Sequence, residues 1–112
     1  MLKDTKDAVS AVPHLPTEVI KRDGSRKRFD ATKIESALAR AGTATGEFDA
    51  DAAAQVTAQV IKVIAHRYPG SAPEIEDIQD IVEQALIAAD FMQTARAYIV
   101  YREQHKRLRA DR

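Results

Sequence analysis

The chain has no cysteine, an absence that excludes disulfides, thiolate nucleophiles, CxxC redox pairs and cysteine zinc sites together. Its three histidines, His14, His66 and His105, lack the short spacings of metal ligands, and each reads as a surface or cap residue. Aromatics are few, three Phe and three Tyr. No apolar run approaches the roughly 20 residues that span a bilayer. The opening MLKDTKDAVSAVPHLP holds no hydrophobic block of signal-peptide length, so the expected location is cytoplasmic. Neither a Walker A sequence nor GxGxxG occurs, which removes the two commonest nucleotide-binding loops. No internal repeat of solenoid length is present.

What remains is one domain of 112 residues, 45% apolar and 30% charged, with a formal net charge of zero. The neutrality hides a segregation of charge. Residues 19–30 hold five Lys/Arg against two Asp, residues 47–90 hold nine Asp/Glu against Lys62 and Arg67, and residues 96–112 hold six Lys/Arg against Glu103 and Asp111.

Residues 1–17 read as a flexible tail, since Pro13 and Pro16 oppose helix and the apolar residues keep no period. VIKR and SRKRF then flank Asp23-Gly24, a two-residue hairpin signal. A type I′ turn there sets Arg22 opposite Ser25, Lys21 opposite Arg26, Ile20 opposite Lys27 and Val19 opposite Arg28. Four helices are expected after it. Asp30 caps the first, whose stripe is Ile34, Ala37, Leu38 and Ala41 and which Gly42 ends. Asp49 caps the second, with Ala53, Val56, Val60, Val63 and Ile64 inward and a stop at Tyr68-Pro69-Gly70. Ser71-Ala72-Pro73-Glu74 matches a capping box for the third, with Pro73 in its first turn. That helix turns Ile75, Ile78, Val82, Ala85, Leu86 and Ala89 inward and Glu76, Asp77, Asp80 and Glu83 outward. The fourth runs from Phe91 to about Arg109, with Met92, Ala95, Tyr98 and Ile99 toward the core. The fold expected is α+β and mostly α, an N-terminal β-hairpin covering a bundle of four helices, with Ile20 and Phe29 as its anchors.

Six cations, Lys21, Arg22, Arg26, Lys27, Arg28 and Lys33, crowd residues 18–38. In the expected register Lys21 opposes Arg26, a like-charged pair that weakens a hairpin and suggests an anion that neutralises it. Backbone amides at the start of the first helix, with Lys and Arg around a tight Gly turn, make a phosphate-binding set. A triphosphate nucleotide fits this compact spot better than nucleic acid does. No aromatic interleaves with the hairpin cations to stack bases, and the acidic middle repels a long backbone. A merely solvated charged surface is the bland alternative, and a small nucleic-acid-binding or transcription-regulatory module is the functional one. A small nucleotidase is weaker still, because no cluster of carboxylates or His accompanies the cations.

V19-I20-K21-R22-D23-G24, then F29-D30 and K33-I34, resembles the start of an ATP-cone, the regulatory nucleotide-binding domain at the N-terminus of many ribonucleotide reductases. The likeness continues through I75-E76-D77-I78-Q79-D80-I81-V82-E83 and Q93-T94-A95-R96-A97-Y98-I99-V100-Y101-R102. It covers roughly residues 17–109, with the cone at 18–109 and residues 110–112 as an end or linker. The resemblance implies an allosteric domain that binds ATP (activating) or dATP (inhibiting), with Mg2+ on the phosphates. It implies partners in a catalytic reductase body and in self-association through the cone, and no membrane. It places Val19, Ile20, Lys21, Arg22, Asp23, Gly24, Lys27, Arg28, Asp30 and Lys33 at the nucleotide: Val19 beside the nucleoside, Lys21, Arg22 and Lys33 on the phosphates, Asp30 near the base. Arg96, Tyr98 and Tyr101 would wall the site from the last helix. The family often has a contacting Thr at the start of the third helix, where this chain has Glu74-Ile75. Cone-bearing transcriptional repressors put a cysteine zinc ribbon ahead of the cone, which this chain does not have. A chain without cysteine cannot supply the thiyl radical of ribonucleotide reduction, so it is expected to be a regulatory part and not an enzyme by itself. The ending ARAYIVYREQHKRLRADR looks most like the junction into an anaerobic glycyl-radical reductase.

Overall fold

The computed structural model describes residues 15–110. A two-stranded antiparallel hairpin, β1 (Glu18–Ile20) and β2 (Arg26–Arg28), precedes α1 (Ala31–Thr45), α2 (Ala50–Arg67), α3 (Ile75–Ala88) and α4 (Met92–Ala110). The architecture is the expected mostly-α hairpin-plus-four-helix fold. Most of the assigned tail, with His14, lies outside the described residues. Leu15–Thr17, the end of that tail, do pack: Leu15 rests on the core, Pro16 is buried, and the Thr17 carbonyl accepts from the Phe29 amide at 2.9 Å.

The hairpin register differs by one residue from the expected one. Glu18 pairs with Arg28, Val19 with Lys27 and Ile20 with Arg26. The connection is a three-residue loop, in which the Gly24 amide donates to the Lys21 carbonyl at 2.9 Å and the Lys21 amide to the Ser25 carbonyl at 2.8 Å. A type I′ turn needs positive φ at Asp23 and Gly24 alike, but here only Gly24 has it, at 87°. Asp23 is instead held by its own carboxylate, which accepts from the Ser25 amide at 2.9 Å and the Ser25 hydroxyl at 2.6 Å. Lys21 therefore does not oppose Arg26, and the argument from a like-charged cross-strand pair falls. Arg26 has an opposite partner, Glu18, at 3.4 Å.

Val19 is the hairpin's inward anchor at 7% exposure, Phe29 packs beside it, and Ile20 is only half-buried. The hairpin is fastened on its other edge to the approach to α3, where the Ile20 amide donates to the Pro73 carbonyl at 2.9 Å and Ile20 bridges Glu74 in parallel. That use of Pro73 explains why the expected capping box fails. Pro73 is buried ahead of the helix, and Glu74 occupies the cap position with no side-chain bond.

Asp30 and Asp49 cap α1 and α2 as expected, accepting from the Thr32 and Ala52 amides at 3.0 Å each. α1 does not stop at Gly42. It runs one turn further and closes with Gly46 at φ 75°. Gly42 is buried within the helix because the Phe48 ring lies against it, where a Cβ would overlap the ring. α4 takes its N-terminal cap from far away: the Glu47 carboxylate accepts from the Gln93 amide at 3.1 Å and from the Thr94 amide and hydroxyl at 2.6 Å each.

The core joins Val19, Leu38, Val56, Val60, Ile64, Ile78, Val82 and Leu86, together with Ile81, which the expected α3 stripe omits. Met92 and Ile99 are not core residues, with exposures of 48% and 42%, and Ala89 is also exposed. On α4, among the described residues, Ala95 is buried and Tyr98 packs against the core as expected, while Thr94, bonded to Glu47, is buried in place of Met92. Among the described residues no helix is long and apolar enough to cross a membrane.

Candidate functional site

Between the hairpin turn, α1, α3 and α4 lies a cleft of about 310 Å³. Lys21 and Arg22 enter it from the turn and Lys33 from the first turn of α1. Its floor is apolar, from Ile34, Leu38, Ile75, Ile78 and Val82. Tyr98, Tyr101 and His105, at helical spacing on α4, form the facing wall. These three rings make a ladder, with centroids 6.1 Å apart for Tyr98 and Tyr101 and 4.2 Å for Tyr101 and His105. Cations on one side, a greasy floor and flat rings on the other are the chemistry an anionic aromatic ligand needs.

Local structure accounts for each placement. The left-handed Gly24 closes the loop that holds Lys21 and Arg22, and both line the cleft. Asp30 starts α1 where it does, leaving Lys33 one turn in and beside the cleft. Thr32 holds the Asp30 carboxyl below the ordinary carboxylate range by its hydroxyl and amide, with Lys33 and Arg28 adding smaller attraction. Burial pushes the Tyr98 phenol up to about 12, so that ring stays neutral in ordinary buffers.

Arg22 is engaged. Its Nε donates to Glu76 Oε2 at 3.1 Å and its Nη2 to Gln79 Oε1 at 3.0 Å. The same two residues hold Arg102 of α4, whose Nη2 donates to Glu76 Oε1 at 3.3 Å and whose Nε donates to Gln79 Oε1 at 3.1 Å. Arg102 also donates to Asp80 at 2.9 Å and to Glu83. Burial works against the charged Arg102, but its bonds to Glu83 and Asp80 outweigh this and raise its pKa. Of the four α3 carboxylates expected to face water, Glu76, Asp80 and Glu83 hold Arg102, and Glu76 also holds Arg22.

Of the residues singled out in the sequence, Lys21, Arg22, Lys33, Tyr98 and Tyr101 line the cleft together. Ile20 borders a smaller hollow with Glu74 and Glu76. The side chain of Val19 is in the core, Asp23 and Gly24 form the turn, and Asp30 is a helix cap. Lys27 and Arg28 are exposed on β2 and Arg96 is exposed on α4, none of them among the cleft's lining residues. Gln79 and His105 line the cleft and were not among the candidates. The α4 phase offered a signal for His105, which follows Tyr98 and Tyr101 at intervals of three and four. His66 sits exposed in the last turn of α2.

The chain belongs to the ATP-cone family: the model of the ATP cone domain matches residues 17–107. It is 38% identical over 94 residues to an anaerobic ribonucleoside-triphosphate reductase of Haemophilus influenzae, covering 84% of this chain and 13% of that protein. It is likewise 38% identical over 94 residues to a vitamin B12-dependent ribonucleoside-diphosphate reductase of Mycobacterium tuberculosis, with 84% and 13% covered. To the ribonucleoside-diphosphate reductase subunit alpha of Chlamydia pneumoniae it is 32% identical over 101 residues, with 84% and 10% covered. The chain thus spans between 10% and 13% of the length of these relatives.

Proposed function

We propose that this domain is an allosteric effector module that binds ATP or dATP in the cleft and regulates a ribonucleotide reductase body. The observation that carries the reading is the meeting of Lys21, Arg22 and Lys33 over one apolar floor, opposite the Tyr98–Tyr101 wall. In this reading the triphosphate lies toward the three cations, carrying Mg2+ with it, and the purine lies against the rings of α4. ATP activates and dATP inhibits, through changes in self-association or in substrate access. The two ligands differ only at the ribose 2′-OH. Discrimination therefore needs a polar group that one ligand satisfies and the other leaves unpaired. Each ligand must also favour a different arrangement, since equal affinity for two states shifts neither. The domain performs no chemistry itself and works in the cytoplasm. A reductase of the anaerobic class is the preferred context, supported by the Haemophilus influenzae relative; the vitamin B12-dependent relative matches over the same length.

Titration calorimetry with ATP, dATP and a short DNA duplex tests this. Saturable nucleotide binding, weakened about 10-fold by Lys21→Ala or Lys33→Ala, is the expected result, that being the scale of one charged hydrogen bond. DNA binding with a steep salt slope and no nucleotide heat would overturn the reading in favour of the nucleic-acid module.

A further inference from the structure

We infer that Glu76 is a built-in competitor for Arg22, an internal anion that holds the cleft's guanidinium until a phosphate displaces it, and that Arg102 receives what Arg22 gives up. The inference rests on the nucleotide reading above and adds a device to it.

Geometry makes the case. Glu76 divides its two oxygens between two arginines, Oε2 to Arg22 at 3.1 Å and Oε1 to Arg102 at 3.3 Å. Gln79 Oε1 is shared in the same way, at 3.0 Å and 3.1 Å. Arg22 lines both the cleft and a second hollow between α3 and α4, whereas Arg102 borders that hollow and not the cleft. The acceptors on α3 thus connect a ligand-facing cation to one that ties α3 to the last helix. Within this cluster Arg22 and Arg102 face Glu76, Asp80 and Glu83, two positive charges against three negative. Glu76 retains 40% of its side-chain exposure, so its bond to Arg22 is screened and easily exchanged, unlike a sealed pair. A triphosphate carries several charged oxygens and can accept from the same Nε and Nη2 donors in a bidentate fork, where Glu76 offers Arg22 a single oxygen.

When phosphate draws Arg22 into the cleft, Glu76 and Gln79 lose one of their two donors. Arg102 then confronts Glu76, Asp80 and Glu83 without Arg22 sharing Glu76 and Gln79, and its hold on those two acceptors tightens. Occupancy of the cleft is thereby converted into a firmer α3–α4 contact, with no requirement that the ligand touch Arg102. Two acceptors shared between two donors give the discrete alternatives that coupling needs.

The test is the pair of substitutions Glu76→Gln and Arg22→Gln, alone and together, in the full 112-residue chain titrated with ATP and with inorganic tripolyphosphate. Glu76→Gln removes the competing charge and is expected to tighten ATP binding about two- to five-fold, the scale of a half-exposed ion pair. In the Arg22→Gln background the same change should have no effect, because there is nothing left to compete for. Simple repulsion between Glu76 and phosphate would predict equal tightening in both backgrounds, and that result would overturn the inference. The arginine Nε–Hε resonances supply a second readout: ATP should shift Arg102 as well as Arg22, and in Glu76→Gln the Arg102 response should shrink. An unmoved Arg102 in an ATP-saturated chain would also overturn it. Failure of the unsubstituted chain to bind ATP or tripolyphosphate would overturn the nucleotide reading itself, an outcome distinct from wild-type binding with an unchanged Glu76→Gln affinity.

Discussion

Arg102 shows how much one side chain can organise. At 14% exposure its guanidinium meets Glu76, Gln79, Asp80 and Glu83, acceptors spread over two turns of α3. Arg102→Ala leaves three carboxylates facing each other and should cost about 2 kcal/mol in urea denaturation, within the range for partly buried charged hydrogen bonds. Arg102→Lys should recover only part of this, since an ammonium cannot span the same fork of acceptors. Tyr98 sets an alkaline limit. Its phenol is raised by burial to about 12, so its contribution is complete below the unfolded value near 10 and fades as pH climbs from there to about 12. Thermal melts in that window should decline less steeply in Tyr98→Phe. These positions show why part of the site was hidden in the sequence. Lys21, Arg22 and Lys33 are close together along the chain, and their convergence could be read from a turn followed by a cap. Gln79 is a neutral residue in an acidic stretch, and nothing local says that two arginines share its oxygen.

Helix ends and the hairpin turn carry the lessons at the level of elements. Asp30 and Asp49 lie next to the amides they cap, so the starts of α1 and α2 were legible. The cap of α4 was not, since Glu47 reaches Thr94 across a separation of 47 residues. Both Asp30 and Glu47 have carboxyls held below their ordinary values of 3.8 and 4.5, each chiefly by a threonine hydroxyl. A lowered native pKa stabilises above the unfolded value and is lost as pH falls through the native one. Stability should therefore begin to drop near those ordinary values and keep falling below them, and Glu47→Gln should flatten this acid limb in a series of melts. The end of α1 was misread because Gly42 signals a stop, whereas its lack of a side chain serves the Phe48 ring. Gly42→Ala gains roughly 1 kcal/mol of helix propensity but forces Phe48 aside. Overpacking of about 1–3 kcal/mol should win, so the variant melts lower. The turn was misread by one residue for an equally local reason, because the Asp23 carboxylate is satisfied by Ser25 in a three-residue loop.

For the whole molecule, the segregation of charge in the sequence becomes a division of labour. Cations from the hairpin turn and α1 face the cleft, the α3 carboxylates restrain Arg22, and α4 brings both the aromatic wall and Arg102. The exposed Arg26, Lys27 and Arg28 of β2 stand apart from this arrangement, so the sequence's six-cation cluster is two groups with different surroundings. Helix count and fold class followed from periodicity, because a 3.6-residue stripe is a property of the chain alone. The wall of the cleft came from the resemblance, which named Tyr98 and Tyr101, and not from the core stripe, since Met92 and Ile99 of that stripe are exposed. Amide chemical-shift mapping during an ATP titration tests the central claim most directly. The account predicts saturable shifts at Lys21, Arg22, Lys33, Gln79 and Tyr101, with a separate groove between α2 and α3, bordered by Gln55, Gln59, Gln84 and Ala88, unmoved. Shifts confined to that groove or to β2, or no saturable shift at all, would contradict it.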